Sequence, residues 1–297
     1  PFYLHCCSTL LHGPNGEWFK SMMEKELATG EGYIKKPLNL IDRKSVWERI
    51  QKAGLTEAEV GYLWMDDSLG LILDKLDYLG IADNTIVVFV SDHGSERKGS
   101  LIKTRGTEIP CLIRWPRVIK PGSVSRGLLQ NTDFVPTWFE LAKAKIPKNY
   151  HIDGKSLAAM FEDPAVSIRK YIYGEQGAAR AIKTEAFEYI SIRYTDEQIT
   201  GALSKRADRA YKTLLGLSSG ISRARYFHPD IFSADQLYDL SKDPNSQKNV
   251  AHDSGYAEQL KKMKAILTKT VKELGPRPYG DFVPGLSLIH ISEPTRQ

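Results

Sequence analysis

The chain has 297 residues, 41% of them hydrophobic and 26% charged, with a formal net charge of +5 at pH 7. That length suits one large α/β domain or a domain with a smaller appendage, and the composition excludes wholesale disorder. The basic residues are scattered, with no dense block and no aromatic-interleaved stripe, so the charge reads as solubility plus attraction for anionic substrates, and no nucleic-acid partner is expected.

No apolar run is long enough for a membrane-spanning helix, so no membrane span is expected. The three cysteines, Cys6, Cys7 and Cys111, are odd in number and two are adjacent, which argues against a disulfide framework. All three stand in apolar runs and read as buried small hydrophobes.

Residues 1–7 are mostly apolar and read as a strand buried on both faces. Such an opening suits the interior of a longer chain, with a segment expected upstream. His12-Gly13-Pro14-Asn15-Gly16 is a loop, and residues 16–56 mix surface helix and loop. Leu69, Ile72, Leu73, Leu76 and Leu79 share one face of a helix over Glu57–Leu79. Thr56 with Glu59 forms a capping box at its start, and Gly80 ends it.

Thr85–Val90 is a run of β-prone residues that predicts a central parallel strand. Cys111–Trp115 predicts another strand, and Asp133–Ala142 a helix. Residues 146–168 are a Pro/Gly-marked transition. Short strand-like runs follow at Tyr171–Tyr173, Ala179–Ile182, Phe187–Ile192 and Gln236–Leu240, which together predict a small antiparallel sheet. Residues 197–232 interrupt this rhythm as an insertion. Leu260, Met263, Ile266, Leu267 and Val271 predict a closing amphipathic helix over Tyr256–Leu274. The expected domains are an α/β part over 1–150 and an α+β subdomain over 151–285. Residues 286–297 resemble translated cloning or adapter sequence and are set aside.

The chemistry-bearing candidate is Asp92-His93-Gly94, directly after a strand. Ligands of open α/β sheets bind beyond the carboxyl ends of the strands. A carboxylate and an imidazole there can reach one metal from one turn, or form a hydrogen-bonded turn without one. His12, in the loop after the first strand, could donate to an anionic oxygen or a leaving group. Lys98, between Arg97 and Gly99, suits a tetrahedral oxyanion. Asp66-Asp67 are consecutive helix residues about 100° apart and read as structural or surface. His5 reads as a core or pocket-edge residue, and Glu175 as one that approaches the cleft.

In order along the chain, these pieces resemble the formylglycine-dependent sulfatases of the alkaline-phosphatase-like superfamily. The segments carrying the resemblance are Pro1–Leu4 with His12–Asn15, Leu69–Gly94, Gly106–Pro116, Asp133–Thr137, Asp153–Leu157, and Gln236–Asn245 with Asn249–Ala251. The resemblance implies a doubly wound, mostly parallel sheet with a small C-terminal antiparallel sheet and a packing helix.

It implies that Asp92 and His93 ligate a divalent cation, usually Ca²⁺. Many members carry Asn at the second position. Members with His exist, and the Asp-His pair also occurs in related phosphonate and phosphodiester hydrolases. His12 would contact the sulfate or the leaving oxygen, and Lys98 would bind the sulfate. Counting back from Pro110 suggests one extra residue here, which makes Lys103 the alternative to Lys98.

The family nucleophile is a formylglycine made from Cys or Ser in a Cys/Ser-x-Pro/Ala-x-Arg motif, and its hydrate attacks sulfur. No cysteine stands in that context, and no serine version is expected in the chain. The nucleophile, the paired aspartates that complete the metal site and an arginine are expected upstream of Pro1, so this chain alone is expected to be inactive. The implied substrate is a sulfated small molecule or glycan. The implied compartment is periplasmic, extracellular or lysosome-like. The alternatives are a phosphonate or phosphodiester hydrolase, and a non-catalytic sulfatase-derived binding protein.

Overall fold

The computed structural model describes residues 1–8, 10, 15–23, 27–29, 32–34, 42–94, 104–176, 179–193, 195–203, 230 and 232–274. The chain divides into two compact units, one of residues 1–86 with 115–117, the other of 87–114 with 118–297.

In the first unit, α1 (Asn15–Met23), α2 (Arg43–Lys52) and α3 (Val60–Tyr78) enclose a core of Met22, Val46, Ile50 and Val60. Trp18, Phe19, Trp47, Leu63 and Trp64 pack against it. Val46 and Ile50 stand four apart, on one face of α2, so a single helical stripe supplies half of that core. A short hairpin pairs β1 (Leu27–Thr29) with β2 (Gly32–Ile34).

The capping box precedes α3. Glu59 accepts from the Thr56 amide at 2.8 Å and the Thr56 hydroxyl accepts from the Ala58 amide at 3.2 Å, opening a 3₁₀ turn that runs into the helix. Gly80 ends it at φ +67°, and the Ile81 amide reaches back to the Leu76 carbonyl. Asp67 takes a bidentate grip from Arg49 of α2, so this carboxylate ties two helices together, in keeping with a structural role.

Residues 1–8 are exposed and have no regular structure; Phe2, Tyr3 and Leu4 are 62–78% exposed. This corrects the expected buried strand. Strands need neighbours to satisfy their amides, and none of the described residues pairs with this segment. Cys6 and Cys7 are therefore exposed, against the expectation of burial, whereas Cys111 is half-buried and its thiol is pushed up in pKa by desolvation.

In the second unit, β3 (Val87–Val90) pairs with β4 (Cys111–Arg114). The pairing is antiparallel, Val88 facing Ile113 and Val90 facing Cys111. Thr85–Val90 was expected to be a parallel strand; its partner among the described residues runs the other way. The connection between them contains the four-residue α4 (Thr104–Thr107). Beyond lie α5 (Phe134–Leu141) and α6 (Ala158–Glu162).

The predicted antiparallel sheet is present, in the order β5 (Ile172–Gln176), β6 (Ala179–Lys183), β7 (Phe187–Ile192), β8 (Asp235–Asp239). Ile182, Tyr189 and Leu237 form one cross-strand row, fully buried. Met263, Leu267 and Val271 of α8 (Ala257–Glu273) join that row in the unit's core. A further helix, α7 (Asp196–Leu203), begins the insertion.

Two of the landmark segments are locks. Asp133 is fully buried, and its carboxylate accepts from the Gln130 amide at 2.7 Å and the Lys155 amide at 2.8 Å, and pairs with Arg169. The Thr137 hydroxyl accepts from the Leu157 amide at 2.8 Å. Gly154 lies against the Thr132 carbonyl so closely that a Cβ would sit 2.0 Å from its oxygen. The Asp133–Thr137 and Asp153–Leu157 segments thus close on each other.

A third lock guards the edge of β8. Asn249 accepts from the Leu237 amide at 3.0 Å and donates to the Asp235 carbonyl at 3.2 Å, in place of another strand.

Candidate metal-binding turn

β3 is built from Val87, Val88, Phe89 and Val90, residues that favour the pleated backbone. It delivers the chain into the turn Ser91-Asp92-His93-Gly94. Three hydrogen bonds, each of 2.8 Å, hold that turn. The Ser91 hydroxyl donates to the His93 carbonyl, His93 Nδ1 donates to the Gly94 carbonyl, and the buried Gly94 amide donates to the Gly106 carbonyl. The Asp92 side chain is 80% exposed and that of His93 30%.

Because a carbonyl can only accept, Nδ1 carries a proton, and in the neutral ring Nε2 keeps the lone pair. Nε2 lies 3.9 Å from Asp92 Oδ1. A single ion with bonds of about 2.4 Å spans that gap, so the two donors fit a shared divalent cation. The backbone bond at Nδ1 is the kind that fixes ring orientation in metal-ligating histidines. Two donors do not fill the shell of a hard cation, which takes about six to eight. Among the described residues no cluster of three or more His, Cys, Asp or Glu side chains supplies the rest.

His12, Lys98 and Lys103 lie outside the described residues. Glu175 is engaged locally, accepting from the Tyr173 hydroxyl at 2.6 Å with Arg180 Nε at 3.3 Å. His5 is exposed, 3.5 Å from the Cys7 thiol, and His151 pairs with Asp153 at 2.8 Å. Ser91 and Gly106 were missed in reading the sequence. The serine stands immediately before the candidate Asp92–His93 pair and could have been found by asking what holds that turn. Gly106 comes from twelve residues downstream and carried no local signal. A serine string with the nucleophile spacing does exist, Ser292-Glu293-Pro294-Thr295-Arg296. It falls in the tail that resembles cloning sequence and lies outside the described residues.

The sequence profile of the sulfatase family matches residues 58–144, which contain this turn. An ulvan-active sulfatase of Formosa agariphila is 30% identical over 208 residues, covering 65% of this chain and 37% of that protein. An N-acetylglucosamine-6-O-sulfatase of Bacteroides thetaiotaomicron is 27% identical over 218 residues, covering 71% of this chain and 34% of that protein. Among solved structures, one from work on glycosaminoglycan metabolism by Bacteroides thetaiotaomicron superposes with a TM-score of 0.55 at 24% identity. It covers 74% of this chain and 45% of that one.

This chain spans only about a third of the length of these curated relatives. Its architecture is the α/β, alkaline-phosphatase-like fold of these structures with a small four-stranded antiparallel sheet. Residues 58–144 thus match the sulfatase family, and the chain is similar over about two thirds of its length to proteins named as sulfatases.

Proposed function

We propose that this chain is part of a hydrolase that cleaves a sulfate ester, with a sulfated glycan or small molecule as substrate. The observation that carries the reading is the Asp92–His93 turn, where two donors converge at the end of β3 inside the matched stretch. Relatives named for ulvan and for N-acetylglucosamine 6-O-sulfate support the choice of a sulfated sugar. Residues 1–150 supply the α/β part of the site and residues 151–285 the C-terminal subdomain. Among the described residues no helix is long and apolar enough to cross a membrane. The compartments usual for the family, periplasmic, extracellular or lysosome-like, fit the proposal.

Asp92 Oδ1 and His93 Nε2 would hold a divalent cation, Ca²⁺ by family habit. When bound, the cation supplies positive charge beside the sulfate oxygens. His93 keeps Nε2 available by donating its Nδ1–H hydrogen bond to the Gly94 carbonyl. His12 donates a proton to the departing alcohol oxygen, and Lys98, or Lys103 in its place, pairs with the sulfate oxygens. The remaining ligands and the formylglycine precursor are expected in the portion of the relatives that this chain does not span.

The test is sulfate release from an aryl sulfate and from sulfated saccharides, with Ca²⁺ present. The chain of 297 residues alone is expected to give no turnover. The full-length gene product is expected to turn over and to lose at least about a hundredfold in rate with Asp92→Ala. Turnover by the chain alone would overturn the assignment of the nucleophile. Cleavage of phosphonate or phosphate diesters in preference to sulfate esters would move the protein to the neighbouring hydrolases. No hydrolysis of any of these esters would leave a binding protein.

A further inference from the structure

Three lysines, Lys143, Lys145 and Lys148, stand within six residues between α5 and α6. They share one loop, and the fold holds both of its ends. The loop turns back at Lys143, whose φ is +52°. The Ala144 amide donates to the Phe139 carbonyl at 2.9 Å, and the Tyr150 ring lies 6.5 Å from the Phe139 ring, so both ends of the loop rest on one residue of α5. The Tyr150 amide closes a turn on the Pro147 carbonyl at 3.0 Å.

Every residue from 142 to 151 is exposed. None of the three lysines pairs with a carboxylate among the described residues, whereas Lys183, Lys242 and Lys264 are all so paired. Of the nearby acids, Asp153 is engaged by His151 at 2.8 Å, and Glu140 is exposed at the loop's start. Beside the lysines, Ile146 is 46% exposed and Tyr150 53%.

We infer that this loop is an accessory docking surface for a sulfated polysaccharide, distinct from the Asp92–His93 turn. The uncompensated ammonium groups meet the sulfates. The Tyr150 ring and Ile146 give an apolar shelf for the faces of the sugar rings. That shelf favours a glycan over a DNA duplex, whose bases are stacked inside and leave only phosphates for the charges. The choice of polyanion rests on the sulfatase reading; the surface itself does not.

The experiment measures binding of the chain to fluorescein-labelled heparin, fully desulfated heparin and a DNA duplex of similar length, at about 0.15 M salt, where exposed charges act over only about 8 Å. Wild-type protein should bind heparin and neither of the other two comparably. Lys145→Gln/Lys148→Gln should raise the heparin Kd about tenfold, as two exposed charge contacts are lost. Tyr150→Ala should raise it about fivefold. A control that removes two exposed lysines elsewhere, Lys120→Gln/Lys262→Gln, should change it less than about twofold.

Equal losses in the loop and control variants would reduce the effect to bulk charge and overturn the inference. DNA bound as tightly as heparin, or no heparin binding by wild-type protein, would overturn it too. Hydrolysis of a small aryl sulfate by the wild-type full-length gene product reports separately on the sulfatase reading, since so small a substrate does not need the loop.

Discussion

Removing the Asp133 carboxylate should unfold the second unit at a much lower temperature. Asp133 is fully buried and Arg169 is 8% exposed, so the pair is out of water. Asp133→Ala strands that guanidinium, which keeps the Gln130 side-chain oxygen at 2.6 Å but no counter-charge. It also orphans the Gln130 and Lys155 amides. Breaking a buried pair from one side costs about 3–5 kcal/mol. For a protein of this size that corresponds to a fall in Tm of roughly 6–20 °C, on a scale of about 2–4 °C per kcal/mol.

The assay is thermal and urea unfolding of wild type, Asp133→Ala, Arg169→Met and Asp133→Ala/Arg169→Met. If the cost arises from the stranded charge, the double variant should lose clearly less than the sum of the singles. A loss for Asp133→Ala under about 1 kcal/mol, or additive singles, would refute the reasoning.

Other outcomes follow from the same geometry. Gly154→Ala should cost about 1–3 kcal/mol or more in the same unfolding assay, because its Cβ meets the Thr132 carbonyl at 2.0 Å and backbone must move. Asp239, held by the Ser241 hydroxyl and then by Lys242 and Tyr256, is lowered to a pKa of about 2. Its folded pKa lies below the unfolded value of about 3.9, so its contribution is complete above that pH and is lost as pH falls toward 2. The urea midpoint of Asp239→Asn should therefore vary less with pH across that window than that of wild type. Asp92→Asn and His93→Ala should each weaken Tb³⁺ or Ca²⁺ binding by the full-length gene product at least about tenfold, followed by lanthanide luminescence. The exposed Asp92 side chain makes its loss nearly neutral for Tm.

The parts of the fold legible in the sequence were those governed by neighbours in the chain. The Thr56–Glu59 box, the Gly80 stop, the α8 stripe and the runs that became β5 to β8 are set by spacings of one to four residues. What failed was governed by distant pairing. The apolar Pro1–Cys7 segment resembles a strand, yet a strand requires an edge to pair with, and composition does not supply one. Thr85–Val90 announced itself as a strand, but the direction of its partner depends on a connection of twenty residues. In the candidate site, Asp92 and His93 stand out in the sequence because they are adjacent. The bond from Gly94 to Gly106 was not, since backbone acceptors have no sequence signature.

The landmarks that made the family recognisable are mostly devices of architecture, and this explains an asymmetry in what the chain discloses. Asp133, Gly154 and Asn249 each satisfy backbone groups or permit a close backbone approach that no other residue type meets so directly. Such positions tolerate little change, whatever substrate is bound. The cation proposed at Asp92 and His93 would be equally indifferent to the alcohol carrying a sulfate. On the proposed reading, substrate choice falls to exposed segments free to vary, and the lysine-bearing loop after α5 is the candidate. Exchanging that loop between sulfatases should therefore change which polymer is bound before it changes which bond is broken.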